Sequence, residues 1–165
     1  MQLTHYTSYF KQHQFPIVLI CDNVTNAPNI GSLFRIADAM GIEKLIFCGD
    51  NIPIGRRMTK TSRSTEKYVP YETHESIASL IKSYASYQLI ALEITNESKA
   101  LESLKVESDK PVALIVGNEN FGISDAVLKQ CNEVVHIDMY GKNSSMNVVQ
   151  ATSIALYAIT NQLKS

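Results

Sequence analysis

The stretch of sequence that says most about the fold is Ile137-Asp138-Met139-Tyr140-Gly141-Lys142-Asn143-Ser144-Ser145-Met146-Asn147-Val148, near the C-terminus. It continues a short apolar run, passes through small polar residues, and leads into an apolar helix pattern over residues 148–163. Asn147 stands where that helix begins, a position that asparagine favours because its side chain accepts hydrogen bonds from free backbone N–H groups. The stretch therefore predicts a strand end, a polar loop rich in backbone donors and acceptors, and a helix.

Two earlier segments have the same organisation, with a polar loop directly after an apolar run. They read Asn26-Ala27-Pro28-Asn29-Ile30-Gly31-Ser32-Leu33-Phe34-Arg35 and Gly117-Asn118-Glu119-Asn120-Phe121-Gly122. Apolar runs predict strands at residues 17–22, 44–48, 88–95, 112–116 and 134–139. Helical spacing predicts helices at residues 29–40, 75–87, 124–131 and 148–163.

This alternation of strands and helices predicts an α/β layer fold, with helices packed on a parallel sheet. We expect one domain over residues 17–165, preceded by an N-terminal arm at residues 1–16. Asn29 is expected to cap the first helix. The last helix is expected to bury one side, which consists of Ala151, Ile154, Ala155, Tyr157 and Ala158.

Composition narrows the class of protein. The 165 residues carry a net charge of −1, so bulk charge does not indicate a nucleic-acid binder. No apolar run is long enough to span a membrane. The three cysteines form no CxxC pair, and the spacing of His, Cys and carboxylate residues suggests no metal site. These features predict a cytoplasmic protein without a metal.

Basic residues are concentrated in one segment, at Arg56, Arg57, Lys60, Arg63 and Lys67. The segment shows no sustained period, which predicts a long loop with at most one turn of helix. A solvated loop is one interpretation. Serine and threonine hydroxyls interleaved with the cations favour the other, in which the segment holds RNA phosphates.

The three polar segments together resemble the three motifs of the SpoU (TrmH-like) branch of the SPOUT superfamily, which methylates the ribose 2′-hydroxyl of RNA. The resemblance extends from about Ile17 to the C-terminus. It implies S-adenosylmethionine as cofactor, with S-adenosylhomocysteine as product, and a homodimer whose site lies near the subunit interface. It also implies a deep trefoil knot between about Leu114 and the C-terminus.

The resemblance assigns cofactor contacts to the second and third motifs. It implies that Gly117 and the loop glycine Gly141 contact the cofactor. It also implies that Ile137, Met139 and Met146 line the pocket for adenine and methionine. Two residues depart from the family pattern, because Asp138 replaces a usual proline and Met146 replaces leucine.

The same resemblance assigns the chemistry to Arg35. Ser145 and Asn147 would hold the methionine portion and the arginine, and Glu119 would orient Arg35 or the active-site loops. A surface pair between Arg35 and Asp38, three residues on, is the alternative interpretation. Arginine is a poor free base because it stays protonated, so we expect Arg35 to hold the ribose hydroxyl and stabilise its developing negative charge. A deprotonated arginine is the bolder alternative.

We therefore expect an S-adenosylmethionine-dependent RNA 2′-O-methyltransferase, with tRNA slightly favoured over rRNA as substrate. One alternative is a catalytically idle RNA-binding relative of the same fold. Retention of the set Asn29, Arg35, Glu119, Ser145 and Asn147 argues against it. Another alternative is an unknotted α/β enzyme that acts on metabolites.

Overall fold

The computed structural model describes residues 7–164, which form one seven-stranded sheet with helices on both faces. The strands are β1 (Phe15–Asp22), β2 (Ile42–Cys48), β3 (Tyr71–His74), β4 (Gln88–Leu92), β5 (Lys99–Ala100), β6 (Val112–Gly117) and β7 (Glu133–His136). The helices are α1 (Ala27–Ala39), α2 (Arg56–Ser62), α3 (Ile77–Leu80), α4 (Asp125–Leu128) and α5 (Val148–Leu163). Short 3-10 helices lie at Thr65–Lys67, Ile81–Tyr84 and Leu101–Ser103.

The strand order is β3-β2-β1-β6-β4-β7-β5, and every neighbouring pair is parallel. The carboxyl ends of the strands therefore lie along one edge of the sheet, and ligands of such sheets bind outside that edge. The predicted parallel α/β layer fold is confirmed.

The core has two halves, one on each face of the sheet. Alternate residues of β1 point to opposite faces, so that Ile17 and Leu19 lie in one half and Val18 and Ile20 lie in the other. Helices α1 and α5 cover the first half, and α3 and α4 cover the second. Since β1, β2 and β6 are buried on both faces, each of them appears in the sequence as a nearly continuous apolar run.

Two strands were not predicted, because neither carries an apolar run. Strand β3 consists of exposed or half-buried residues at the end of the sheet, and β5 is two residues long. The predicted long loop at the basic segment was also wrong. It contains α2, which buries only Met58 and Ser62 and so shows no helical stripe in the sequence.

Several predicted bounds were also wrong. Strand β7 ends at His136, where its last ladder partner, Ala100 of the short strand β5, also ends. The predicted helix at residues 75–87 is one turn of α-helix followed by a 3-10 turn. On α5, Ile154 and Tyr157 were expected to be buried but are 43% and 60% exposed. The helix turns Thr152, Leu156 and Ile159 toward the core in their place.

Two predictions about the ends of the domain stay predictions. The trefoil knot is one, because strand order and helix packing do not by themselves define how the chain threads. The arm at residues 1–16 is the other, since residues 1–6 lie outside the described part and β1 already begins at Phe15. Over residues 7–164, no helix has the length and apolar character that crossing a membrane would require.

Candidate functional site

The first polar segment forms the start of α1, shortly after the interior strand β1. Its cap is Asn26, whose side-chain oxygen accepts a hydrogen bond of 3.1 Å from the Asn29 N–H. The prediction that Asn29 caps this helix was therefore wrong. Asn29 lies inside the first turn, so its side chain is free to bond to other loops.

The second polar segment is a tight turn between β6 and α4. The Asn118 side-chain oxygen accepts hydrogen bonds from the N–H groups of Asn120 (2.8 Å) and Phe121 (3.2 Å). The Asn118 amide group donates to the Asn23 carbonyl at 2.8 Å, which ties this turn to the end of β1. A Cβ on Gly117 would lie 2.5 Å from the Gly122 carbonyl carbon, so only glycine permits so close a turn.

The third polar segment ends at the cap of α5. The Asn147 side-chain oxygen accepts a hydrogen bond of 2.8 Å from the Val149 N–H, as the sequence predicts for a residue that starts a helix. The asparagine amide group remains available as a donor. Asn147 can therefore start the helix and bond to another loop at once.

Side-chain hydrogen bonds join these three segments. The Asn29 amide group donates to the Glu119 carboxylate, and the Asn147 amide group donates to the Asn29 side-chain oxygen at 3.2 Å. Residues separated by 90 and 118 positions in the chain thus meet through one asparagine. The segments singled out in the sequence form one site.

A cleft of about 130 Å³ lies beside this network, at the carboxyl ends of β4, β6 and β7. Its lining contains Leu92, Glu93, Ile94, Val116, Gly117, Asn118, Glu119, His136, Ile137, Met139, Ser145, Met146, Val148 and Ala151. The predicted residues Gly117, Glu119, Ile137, Met139, Ser145 and Met146 are among them. Gly141 and Asn147 are not part of the lining, although Asn147 is bonded to Asn29.

The ionisable groups of the cleft are held by hydrogen bonds. Glu93 accepts from the N–H groups of Ile94 (3.1 Å) and Ile123 (2.9 Å), which fixes its carboxylate at the end of β4. One ring nitrogen of His136 lies 2.9 Å from the Ser98 hydroxyl, and the other lies 3.2 Å from the Asp138 carboxylate. His136 is therefore a satisfied structural residue. In the part of the chain that the structure describes, the cleft lining includes two carboxylates and no lysine or arginine.

Arg35 lies on an exposed face of α1 and is not bonded to the network. Within residues 7–164 its guanidinium makes no hydrogen bond or ion pair, so the alternative pair with Asp38 does not form there. The predicted orientation of Arg35 by Glu119 is also not seen, because Glu119 is bonded to Asn29. Arg35 lies six residues beyond Asn29, roughly 9 Å further along the helix axis. Its guanidinium is available to a ligand.

The basic segment packs beside α1. Its five cations are Arg56, Arg57, Lys60, Arg63 and Lys67, all of them exposed and none in an ion pair within residues 7–164. The expected role of the interleaved hydroxyls as phosphate donors stays a prediction, and most of these hydroxyls already have partners within the protein. Those of Thr59, Thr61, Ser62 and Thr65 donate to carbonyl or carboxylate oxygens of the protein.

Gly31 fixes the position of the basic helix α2 against α1. A Cβ at Gly31 would lie 2.0 Å from the Thr61 hydroxyl oxygen and 2.2 Å from the Met58 carbonyl oxygen. The Thr61 hydroxyl also donates to the Pro28 carbonyl at 3.0 Å. The two helices can approach this closely only because residue 31 has no side chain.

A buried carboxyl lies beneath the site. Asp22, the last residue of β1, is 5% exposed, and burial raises the pKa of its carboxyl. A hydrogen bond of 2.9 Å from the Asn23 amide group offsets part of that effect. Burial also raises the pKa of the nearby Cys48 thiol, to about 12, so this cysteine is held as an unreactive thiol.

Sequence reasoning missed eight of the fourteen lining residues of the cleft, notably Leu92, Glu93 and Ile94 at the end of β4. The signal that could have identified them is topological. Strands β4 and β6 are adjacent and parallel, so their carboxyl ends lie side by side. No polar loop of distinctive composition marks the end of β4.

Within residues 7–164, no group of three metal-ligating side chains lies close enough together to hold a metal ion.

Comparison with known proteins identifies relatives over most of the chain. The model of the SpoU rRNA Methylase family matches residues 16–157. A 23S rRNA (guanosine-2′-O-)-methyltransferase, RlmB of Blochmanniella floridana, is 26% identical over 93% of this chain and 61% of the relative. The chain spans 59–64% of the length of this and two further curated relatives.

Solved structures share the fold. The Aquifex aeolicus TrmH/SpoU tRNA modifying enzyme superposes with a TM-score of 0.80 at 26% identity, covering 93% of this chain and 78% of that one. The SpoU methyltransferase AviRb from Streptomyces viridochromogenes, solved in complex with the cofactor AdoMet, superposes with a TM-score of 0.77 at 25% identity. The match covers 92% of this chain and 62% of AviRb.

Proposed function

The chain belongs to the SpoU rRNA Methylase family, and from that premise we propose that it is an RNA methyltransferase. The proposed reaction transfers a methyl group from S-adenosylmethionine to a ribose 2′-hydroxyl of tRNA or rRNA. The observation that carries the proposal is the hydrogen-bonded set Glu119–Asn29–Asn147, which joins the three motif segments beside one cleft. A catalytically idle relative would have no need to keep these three side chains hydrogen-bonded to one another.

The cleft fits the proposed cofactor by its chemistry. Apolar side chains such as Ile137, Met139 and Met146 offer surface to an adenine ring and a methionine chain. The carboxylates of Glu93 and Glu119 offer negative charge to a cationic ligand. When bound, S-adenosylmethionine supplies an activated methyl group on a positively charged sulfur.

Arg35 is the residue to which we assign the chemistry at the acceptor. Its guanidinium, which has no partner among residues 7–164, can donate hydrogen bonds to the ribose 2′-oxygen and stabilise the negative charge that develops as this oxygen loses its proton. The proton passes to a phosphate oxygen of the RNA or to water. Asn29, Glu119 and Asn147 position the loops through their hydrogen bonds. Ser145 lies in the lining of the cleft, where we assign it to hold the methionine portion of the cofactor.

The test compares Arg35→Ala with Lys82→Ala, a matched control that removes one exposed positive charge from the opposite face of the sheet. Labelled methyl transfer to total RNA is expected to be lost with Arg35→Ala and kept with Lys82→Ala. Calorimetry is expected to give the same S-adenosylmethionine affinity for both. Wild-type turnover by Arg35→Ala would remove Arg35 from the reaction, and RNA binding without any transfer by the wild type would favour the idle alternative.

Finer features of this function are also proposed. We favour tRNA slightly over rRNA as the substrate, and we place the reaction in the cytoplasm. The RNA-binding surface that we propose consists of the five cations of α2 and the turn that follows it.

We also propose a homodimer. Its support is the apolar face of α5 that carries exposed Ile154 and Tyr157. Sedimentation is expected to give a dimer for the wild type and a monomer for Ile154→Asp.

A further inference from the structure

A second cavity opens at the same edge of the sheet as the cleft. It is an open groove of about 620 Å³ between the start of α1 and the loop that leads into α2. Its lining is Thr25, Asn26, Ala27, Pro28, Pro53, Ile54, Gly55, Arg56 and Arg57. These residues follow the carboxyl ends of β1 and β2, where parallel sheets bind ligands. None of the residues assigned to the cofactor lies in it.

The first turn of α1 separates this groove from the cleft. Ala27 and Pro28 line the groove, whereas the next residue, Asn29, bonds to Glu119 in the wall of the cleft. The strands below are also neighbours, since β1 pairs with β2 on one side and with β6 on the other. A ligand in the groove would therefore lie beside a methyl donor in the cleft, with one helical turn between them.

The groove combines an apolar wall with free positive charge. Ala27, Pro28, Pro53 and Ile54 contribute apolar surface, as a planar nucleobase requires. Within residues 7–164, Arg56 and Arg57 have no acidic partner, so their guanidinium groups can bind a phosphate. Base and phosphate together are the chemistry of a nucleotide.

We propose that this groove binds one unpaired nucleotide of the RNA substrate, adjacent to the ribose that is methylated. This proposal rests on the proposed function, and it makes the groove the place where the acceptor strand enters the site. A nucleotide within RNA fits better than a free metabolite, because the charge continues beyond the groove. Lys60, Arg63 and Lys67 follow along the same segment and would meet the next phosphates of a strand.

The experiment uses the whole chain labelled with ¹⁵N and follows its amide signals during titration. The probes are the four nucleoside 5′-monophosphates, a single-stranded RNA hexamer and S-adenosylmethionine. The monophosphates are expected to shift amides at residues 25–27 and 54–57 and to leave the shifts caused by S-adenosylmethionine unchanged. The hexamer is expected to shift the same amides at lower concentration, and to shift those of Lys60 and Arg63 as well.

Two double variants that lose the same charge distinguish binding in the groove from nonspecific attraction by positive charge. Arg56→Gln with Arg57→Gln is expected to weaken monophosphate binding by about tenfold or more, as loss of charge-assisted hydrogen bonds predicts. Arg63→Gln with Lys67→Gln removes the same charge outside the groove and is expected to change it by less than about twofold. Both pairs are expected to weaken hexamer binding at low salt.

A third variant fills the groove without disturbing the fold. A Cβ at Gly55 meets no atom within 4 Å, and its φ of −176° is open to any residue. Gly55→Trp is expected to lose monophosphate binding and to keep S-adenosylmethionine binding. Equal losses in the two double variants, wild-type binding by Gly55→Trp, or a change of oligomeric state in Gly55→Trp would overturn the proposal.

Two further outcomes are distinguishable. A monophosphate that binds more tightly than the hexamer would assign the groove to a metabolite and refute the RNA assignment. A chain that binds nucleotides in the groove but never binds S-adenosylmethionine would refute the proposed function and leave the nucleotide site standing.

Discussion

Replacing Gly31 with alanine tests how the basic helix is held against α1. In an ordinary helix this change would stabilise the protein by about 1 kcal/mol, because alanine is the better helix former. Here the new Cβ would lie 2.2 Å from the Met58 carbonyl oxygen and 2.0 Å from the Thr61 hydroxyl. Overpacking of this kind typically costs about 1–3 kcal/mol, and a backbone carbonyl gives way less easily than a side chain.

Once the gain in helix propensity is subtracted, the net expectation for Gly31→Ala is a loss of about 1–2 kcal/mol in the free energy of unfolding. For a domain of this size that corresponds to a fall of roughly 2–8 °C in Tm. Removing the hydroxyl as well, with Thr61→Ala, is not expected to restore stability because the Met58 contact persists. RNA affinity is expected to fall too, because α2 carries Arg56 and Arg57.

The assay is urea unfolding followed by circular dichroism. Gly141→Ala serves as the control, because a Cβ there meets no atom within 4 Å, and it is expected to change stability by less than about 0.5 kcal/mol. A Gly31→Ala variant as stable as the wild type, or more stable, would refute the reasoning. It would mean that helix propensity outweighs the contact and that α2 is not held at this distance.

Two further predictions concern the site. In a double-mutant cycle, Asn29→Ala and Glu119→Ala are expected to show a coupling of about 0.5–1 kcal/mol in unfolding free energy, since their hydrogen bond involves an exposed carboxylate that solvent screens; additive effects would mean that this bond does not join the loops. Burial raises the pKa of Asp22, so its contribution favours the folded state below the ordinary aspartate range and is lost as the pH rises through the folded-state pKa. Asp22→Asn is therefore expected to have a higher Tm than the wild type at pH 7 and to lose that advantage as the pH falls toward 4, and a lower Tm at both pH values would contradict this.

The sequence was sufficient where burial leaves a periodic signal. The strands β1, β2 and β6 are buried on both faces and were predicted from their apolar runs. Strand β3 was missed because Tyr71–His74 is exposed and pairs on one side only. The place of β3 in the sheet depends on its pairing with β2, and the local sequence does not encode that pairing.

Side-chain pairing was less predictable than the motifs themselves. Asn26 and Asn29 are chemically equivalent candidates for the cap of α1, and the sequence does not state which one bonds to Glu119. Helical spacing placed Ile154 and Tyr157 on the buried face of α5 because both are apolar. The sheet covers another face, and the position of the sheet is a tertiary property.

The most direct test of the central claim is transfer of a labelled methyl group from S-adenosylmethionine to RNA, followed by digestion and mass spectrometry of the nucleosides. The proposed function predicts that the label appears on a 2′-O-methylated ribose and is absent when Arg35→Ala replaces the wild type. Label on a base, or no label in any RNA although the folded chain binds S-adenosylmethionine, would contradict it.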